Sequence, residues 1–200
     1  MNFISEIESG GGVSVYQLKI TLKRSKPSIW RRVVVRADMM LDRLHNVIQI
    51  AMGWTNSHLH QFVRGSGFKL TFFGKPDPEF SGFGSETLNE KRYTVADLAP
   101  AAKRKFTYEY DFGDSWEHEV VVEKILPPDP GLKHPACLAG ANASPPEDCG
   151  GIGGYYDLLA ILAEPKHPEH EETKVWIGGE FDPAEFDLNG VNAVLRRLKA

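Results

Sequence analysis

The chain has 200 residues, 42% apolar, 25% charged and 10% aromatic, with a net charge of −4. This composition suits a globular domain with a sizeable core and excludes collagen, coiled-coil rods, wholly disordered chains and disulfide-packed toxins. The acidic balance argues against a surface built throughout for a phosphate backbone, although residues 1–70 carry ten Lys and Arg against four Asp and Glu, so that this part is net +6 and the remainder −10.

Residues 1–14 read as a flexible start that runs into Gly10 to Gly12. VYQLKITLK then alternates Tyr16, Leu18, Ile20 and Leu22 with polar neighbours, the period of a half-buried strand. A turn holding Pro27 leads to a second strand, IWRRVVVR. Leu41, Leu44, Val47, Ile48, Ala51 and Met52 recur at helical spacing, which predicts a helix from about Met39 to Met52, capped by Asp38 and stopped by Gly53. Strands are expected near 58–64 and 68–73, then a surface loop from Gly74 to Glu90 and a short helical turn within Tyr93 to Leu98. KFTYEYDF and HEVVVEKIL, joined by GDSW, form the clearest hairpin, with Phe106, Tyr108, Tyr110 and Phe112 on one face. A Pro-rich irregular stretch ends at GGIGG, where a helix with Tyr155, Leu158, Leu159 and Leu162 inward begins. The HPEHEE run reads as a solvated loop, and a last helix follows Asp187 to about Lys199. The expected fold is α+β: antiparallel strand pairs with about three main helices in a single composite domain over residues 15–200.

PSIWRRVVV, LHNVIQIAMGW with HLHQF, YEYDFGDSWEHEV and PPEDCGGIGGY together resemble the Ri-plasmid open-reading-frame-three-like family, also known as insertion-element passenger proteins of the TnpR type. The resemblance runs from about Val15 to the final helix. It implies an α+β domain associated with mobile elements and carries no catalytic residues over. The TnpR name otherwise denotes serine recombinases, which need a nucleophilic Ser among several Arg, a long dimerising helix and a helix-turn-helix. Ser5, Ser9 and Ser14 lie in the flexible start and no long helix is expected, so the name is read as one of gene neighbourhood.

Three segments offer chemistry. The hairpin turn gathers Asp111, Asp114, Glu117 and His118, a set suited to oxygen and imidazole ligation or to acid–base work, although Gly113 and Asp114 also suit a plain turn and Trp116 a plain core position. His58 and His60, two apart on the expected strand, point to one face, a spacing that can hold a metal or form a polar rim around Trp54 and Phe62; His45 lies on the helix before them. PPEDCGGIGGYY combines Glu147, Asp148 and Cys149 ahead of a helix start. Cys137 and Cys149 match no compact zinc knuckle; they read as free thiols, or as metal ligands completed by a His such as His134.

The ligand-binding candidates are therefore Trp54, Asp111, Asp114, Trp116, Glu117, His118, Glu147 and Asp148. The metal candidates are His58, His60, Asp111, Cys137 and Cys149, with a divalent metal as the cofactor to test. The first functional expectation is a binding or interaction module with a protein partner. The second is a metal-dependent hydrolase in which His58, His60 and Asp111 hold the ion and Glu117 or His118 acts as base. The third is nucleic-acid binding by the basic first strand pair. No apolar run approaches the roughly 18 residues of a spanning helix and the start is acidic, so a cytoplasmic protein with no membrane partner is expected.

Overall fold

The computed structural model describes residues 12–76 and 87–198; the expected flexible start, most of the loop before Glu90 and Lys199 fall outside them in whole or in part. Its strands are β1 (Val15–Leu22), β2 (Trp30–Arg36), β3 (His60–Ser66), β4 (Lys69–Gly74), β5 (Thr87–Asn89), β6 (Lys105–Tyr110), β7 (Trp116–Leu126) and β8 (Ala136–Ala141). Its helices are α1 (Leu41–Met52), α2 (Val95–Leu98), α3 (Gly151–Ala163), α4 (His170–Trp176) and α5 (Leu188–Leu195), with a 3₁₀ turn at Glu90–Arg92.

The strands join into one sheet in the order β5-β4-β3-β6-β7-β1-β2-β8. Every neighbouring pair is antiparallel except β4 and β5, so the sheet is mixed. Period-2 alternation decides which residues face inward: Leu18, Ile20, Val33, Val35, Phe62, Tyr108 and Val120 are sealed, while their sequence neighbours, the buried Val34 apart, stay partly exposed. Leu41, Leu44, Val47 and Ile48 of α1 complete the same core, which also takes Ile152 and Leu159 of α3 and Leu188 and Val191 of α5.

The expectation of separate strand pairs with about three main helices is overturned by one eight-stranded sheet and five α-helices among the described residues. The differences have local causes. HPEHEE does not stay a loop, because His170 is buried with Nδ1 3.1 Å from the Ile161 carbonyl and its segment continues into α4. β8 has too weak a pattern to read as a strand, yet it pairs with β2, and Asn192 of α5 both accepts from the Cys137 amide and donates to its carbonyl. α1 begins at Leu41 rather than Met39, because Asp38 is held by the Arg36 guanidinium and caps nothing. Phe112 leaves the face of Phe106, Tyr108 and Tyr110, since the left-handed Asp111 (φ 57°) ends the alternation.

Candidate functional site

α1 stops at Gly53 in the left-handed conformation (φ 78°), and the chain turns so that Trp54 stacks on Tyr110, with centroids 5.1 Å apart. The Trp54 indole donates to the Pro145 carbonyl at 2.9 Å, which draws the 145–149 segment against the end of α1. Glu147 then acts as a knot. It accepts hydrogen bonds from the Tyr110 hydroxyl, the Thr55 hydroxyl and the Thr55 amide. Burial raises its pKa, but the Thr55 and Tyr110 hydrogen bonds outweigh that and leave it lowered. The Tyr110 hydroxyl, itself accepting from the amides of Ser57 and His58, is pushed up to about 12 by burial and by this carboxylate.

This scaffold brings three segments together. His58 Nε2 lies 2.9 Å from Asp148 Oδ1 and 3.7 Å from Asp111 Oδ2. Asp111 and Asp148 both have left-handed backbones (φ 57° and 60°), conformations that cost non-glycine residues energy and recur at functional sites. Asp114 ties the hairpin turn to the start of α3, accepting from the Gly150 amide at 3.2 Å. Gly151 must be glycine there: its φ is 66°, and a Cβ would stand 2.5 Å from the Asp114 carbonyl oxygen.

On the other side of His58 opens a cavity of about 710 Å³. His45 and His60 stack in its wall, 3.5 Å between centroids and 6° from parallel. His60 Nε2 meets Glu90 Oε2 at 2.7 Å, and Glu90 is only 6% exposed. His45 contacts the Tyr108 hydroxyl at 2.8 Å and Asn56 Oδ1 at 2.7 Å, and burial, with His60 alongside, lowers it to about 4, so it is neutral. Gln49 holds the rest: its amide donates to the Tyr108 hydroxyl, and its carbonyl accepts from the Asn56 amide. Leu59 and Phe112, half exposed, form the apolar part of the lining.

The other sequence candidates lie elsewhere. His60 turns to Glu90 rather than to the His58 cluster. Glu117 points to the opposite sheet face, where it pairs with Lys23 at 3.2 Å. His118 and Trp116 are sealed in the core, and neither ring nitrogen of His118 nor the Trp116 indole nitrogen makes a hydrogen bond; the Tyr108 and Trp116 carbonyls lie near His118 without suitable geometry. Cys137 is buried on β8, while Cys149 is partly buried, with its thiol pushed up to about 12 by burial and by Asp114. Neither belongs to the metal-capable group formed by His58, Asp111 and Asp148, and His134 contacts the Leu198 carbonyl instead. The basic first strand pair is interleaved with acid: Arg32 grips Glu123 with two hydrogen bonds. Sequence reasoning missed Glu90 and Asn56, which only the tertiary fold places in the pocket. Tyr108 and Tyr110 were legible as core but not as hydroxyl donors and acceptors.

Fold and site define an α+β domain with a large mixed sheet and a polar pocket at one sheet end. The chain belongs to the plasmid pRiA4b ORF-3-like protein family, which it matches over residues 14–190. It is 39% identical over 190 residues to the uncharacterized protein y4hQ of Sinorhizobium fredii, covering 94% of this chain and 93% of that one. It is also similar to the crystal structure of MM3350, a protein of unknown function from Methanosarcina mazei Go1, with 37% identity and a TM-score of 0.78 over 90% of this chain and 97% of that one.

Proposed function

We propose that the protein is a binding module for a small polar molecule, taken up in the cavity beside His45, His60 and Glu90. The observation that carries this reading is the buried Glu90–His60 pair in a cavity wall. Taking a carboxylate out of water is costly, and such pairs rarely raise stability over apolar packing. Among the described residues Glu90 Oε1 has no hydrogen-bond partner, so it is available to a ligand donor. A volume of about 710 Å³ suits a small organic ligand, and the lining joins amides (Asn46, Asn56, Gln61) to the apolar Leu59 and Phe112. The ligand class is a hydrogen-bond-donating polar molecule with a flat apolar part. Two free cysteines suit work in a reducing cytoplasm.

A thermal-shift screen with amides, amines and nucleosides tests the reading. Compounds that raise the Tm of the parent protein should fail to do so with Glu90→Gln, which keeps the shape of the side chain and removes its charge. Hits that stabilise both proteins equally, or the lack of any hit, would count against it.

A further inference from the structure

We propose that His58, Asp111 and Asp148 form a binding site for one divalent first-row cation, Mn²⁺ or Zn²⁺, beside the pocket. The three donor atoms come from the loop after α1, the end of β6 and the segment before α3, and all lie within 4.8 Å of one another. A cation with ligand bonds of about 2.1 Å separates its ligands by about 3.0 Å in cis octahedral positions and about 3.4 Å in a tetrahedron. The observed 2.9 Å and 3.7 Å from His58 Nε2 bracket those spacings.

Two atoms facing the cluster make no hydrogen bond among the described residues. His58 Nε2 is shut off from solvent, yet it makes no hydrogen bond of acceptable geometry despite two carboxylates within reach. Asp111 is 8% exposed; its Oδ1 accepts from the Gly113 amide at 2.9 Å, and its Oδ2, aimed at the cluster, has no hydrogen-bond partner among the described residues. A buried polar atom without a partner is costly, and a cation lying between His58 Nε2 and Asp111 Oδ2 gives the sealed ring nitrogen one. One imidazole and two carboxylates make a borderline-hard donor set, suited to Mn²⁺ or Zn²⁺. The group contains no cysteine, so no soft ligand joins it. Asp148 is 66% exposed, so coordination positions remain open to water or to a ligand.

The proposal does not depend on the pocket reading, because cation binding is measured without any pocket ligand. The full-length protein, stripped with chelator and dialysed, is titrated calorimetrically with MnCl₂ and separately with ZnCl₂, while electron paramagnetic resonance follows bound Mn²⁺. The expected result is one equivalent bound, weakened at least tenfold by Asp148→Asn, which alters an exposed side chain without disturbing the fold. Asp111→Asn, which keeps an acceptor for the Gly113 amide, should do the same. Nitrogen coupling to bound Mn²⁺ should vanish in His58→Gln, and His167→Ala should change nothing. Absence of binding at millimolar Mn²⁺ and Zn²⁺, binding that survives both Asp variants, or binding removed by His167→Ala would overturn the proposal and leave the three side chains as an ion pair alone.

Discussion

Two buried histidines give the molecule its expected response to acid. His45 and His118 are both lowered from 6.5 to about 4, chiefly by burial. Between those values the unfolded chain binds protons that the folded chain refuses, so stability falls as pH drops from about 6.5 to about 4, at about 1.4 kcal/mol per pH unit per histidine, and is flat above. Denaturant titrations at pH 7 and pH 5 should show the loss, and equal stability at both would contradict it. His118→Leu should remove one histidine's share. At pH 7 it should stay within about 1 kcal/mol of the parent, because it deletes two orphaned nitrogens without a large change in volume. Glu147→Ala should cost about 2 kcal/mol, since it frees the Tyr110 and Thr55 donors at once; an unchanged Tm would show that Glu147 does not tie these segments together. His58, Asp111 and Asp148 were legible as chemically apt residue types in the sequence. Their meeting was not, because it depends on Trp54 reaching Pro145 and on Tyr110 reaching Glu147, contacts that span 91 and 37 residues.

Among the elements, the joint between α1, β2 and β8 depends on Arg31. Its buried guanidinium donates to the carbonyls of Ala51, Trp30 and Ala141 and to the Ser144 hydroxyl, and lies over the Phe186 ring at 4.0 Å. Burial lowers its pKa to about 10, and Cys137 works weakly the other way, so it remains charged at neutral pH. Arg31→Met should leave these acceptors without a donor and cost roughly 2–4 kcal/mol in chemical denaturation; a loss below 1 kcal/mol would mean that water replaces the guanidinium. Strong periodicity made β1, β2, the β6–β7 hairpin and α1 legible. β5 spans three residues and pairs in parallel with β4, so no local pattern announces it. α4 was hidden because its charged composition suits solvent equally well, and only the docking of His170 decides for a helix.

Over the whole molecule, the sheet divides the labour. One face packs on the helices, and the other carries the ion pairs Lys23–Glu117, Arg32–Glu123 and Lys105–Glu119. Solvated pairs of this kind add little to stability, and they neutralise the stripe that the basic first strands suggest on their own. The pocket lies at the end of the sheet, where β3 and β6 begin and end and where α1, the 3₁₀ turn at Glu90 and the Glu147 segment converge. In the proposed function this end binds a small molecule through Glu90 and His60. The most direct test is the nitrogen-15 spectrum of the imidazole rings, recorded while the best-stabilising compound is added. The His60 and His45 resonances should move with saturation while His118, sealed in the core, stays still. Binding that leaves His60 unmoved, or that moves only His167 on the far loop, would contradict it.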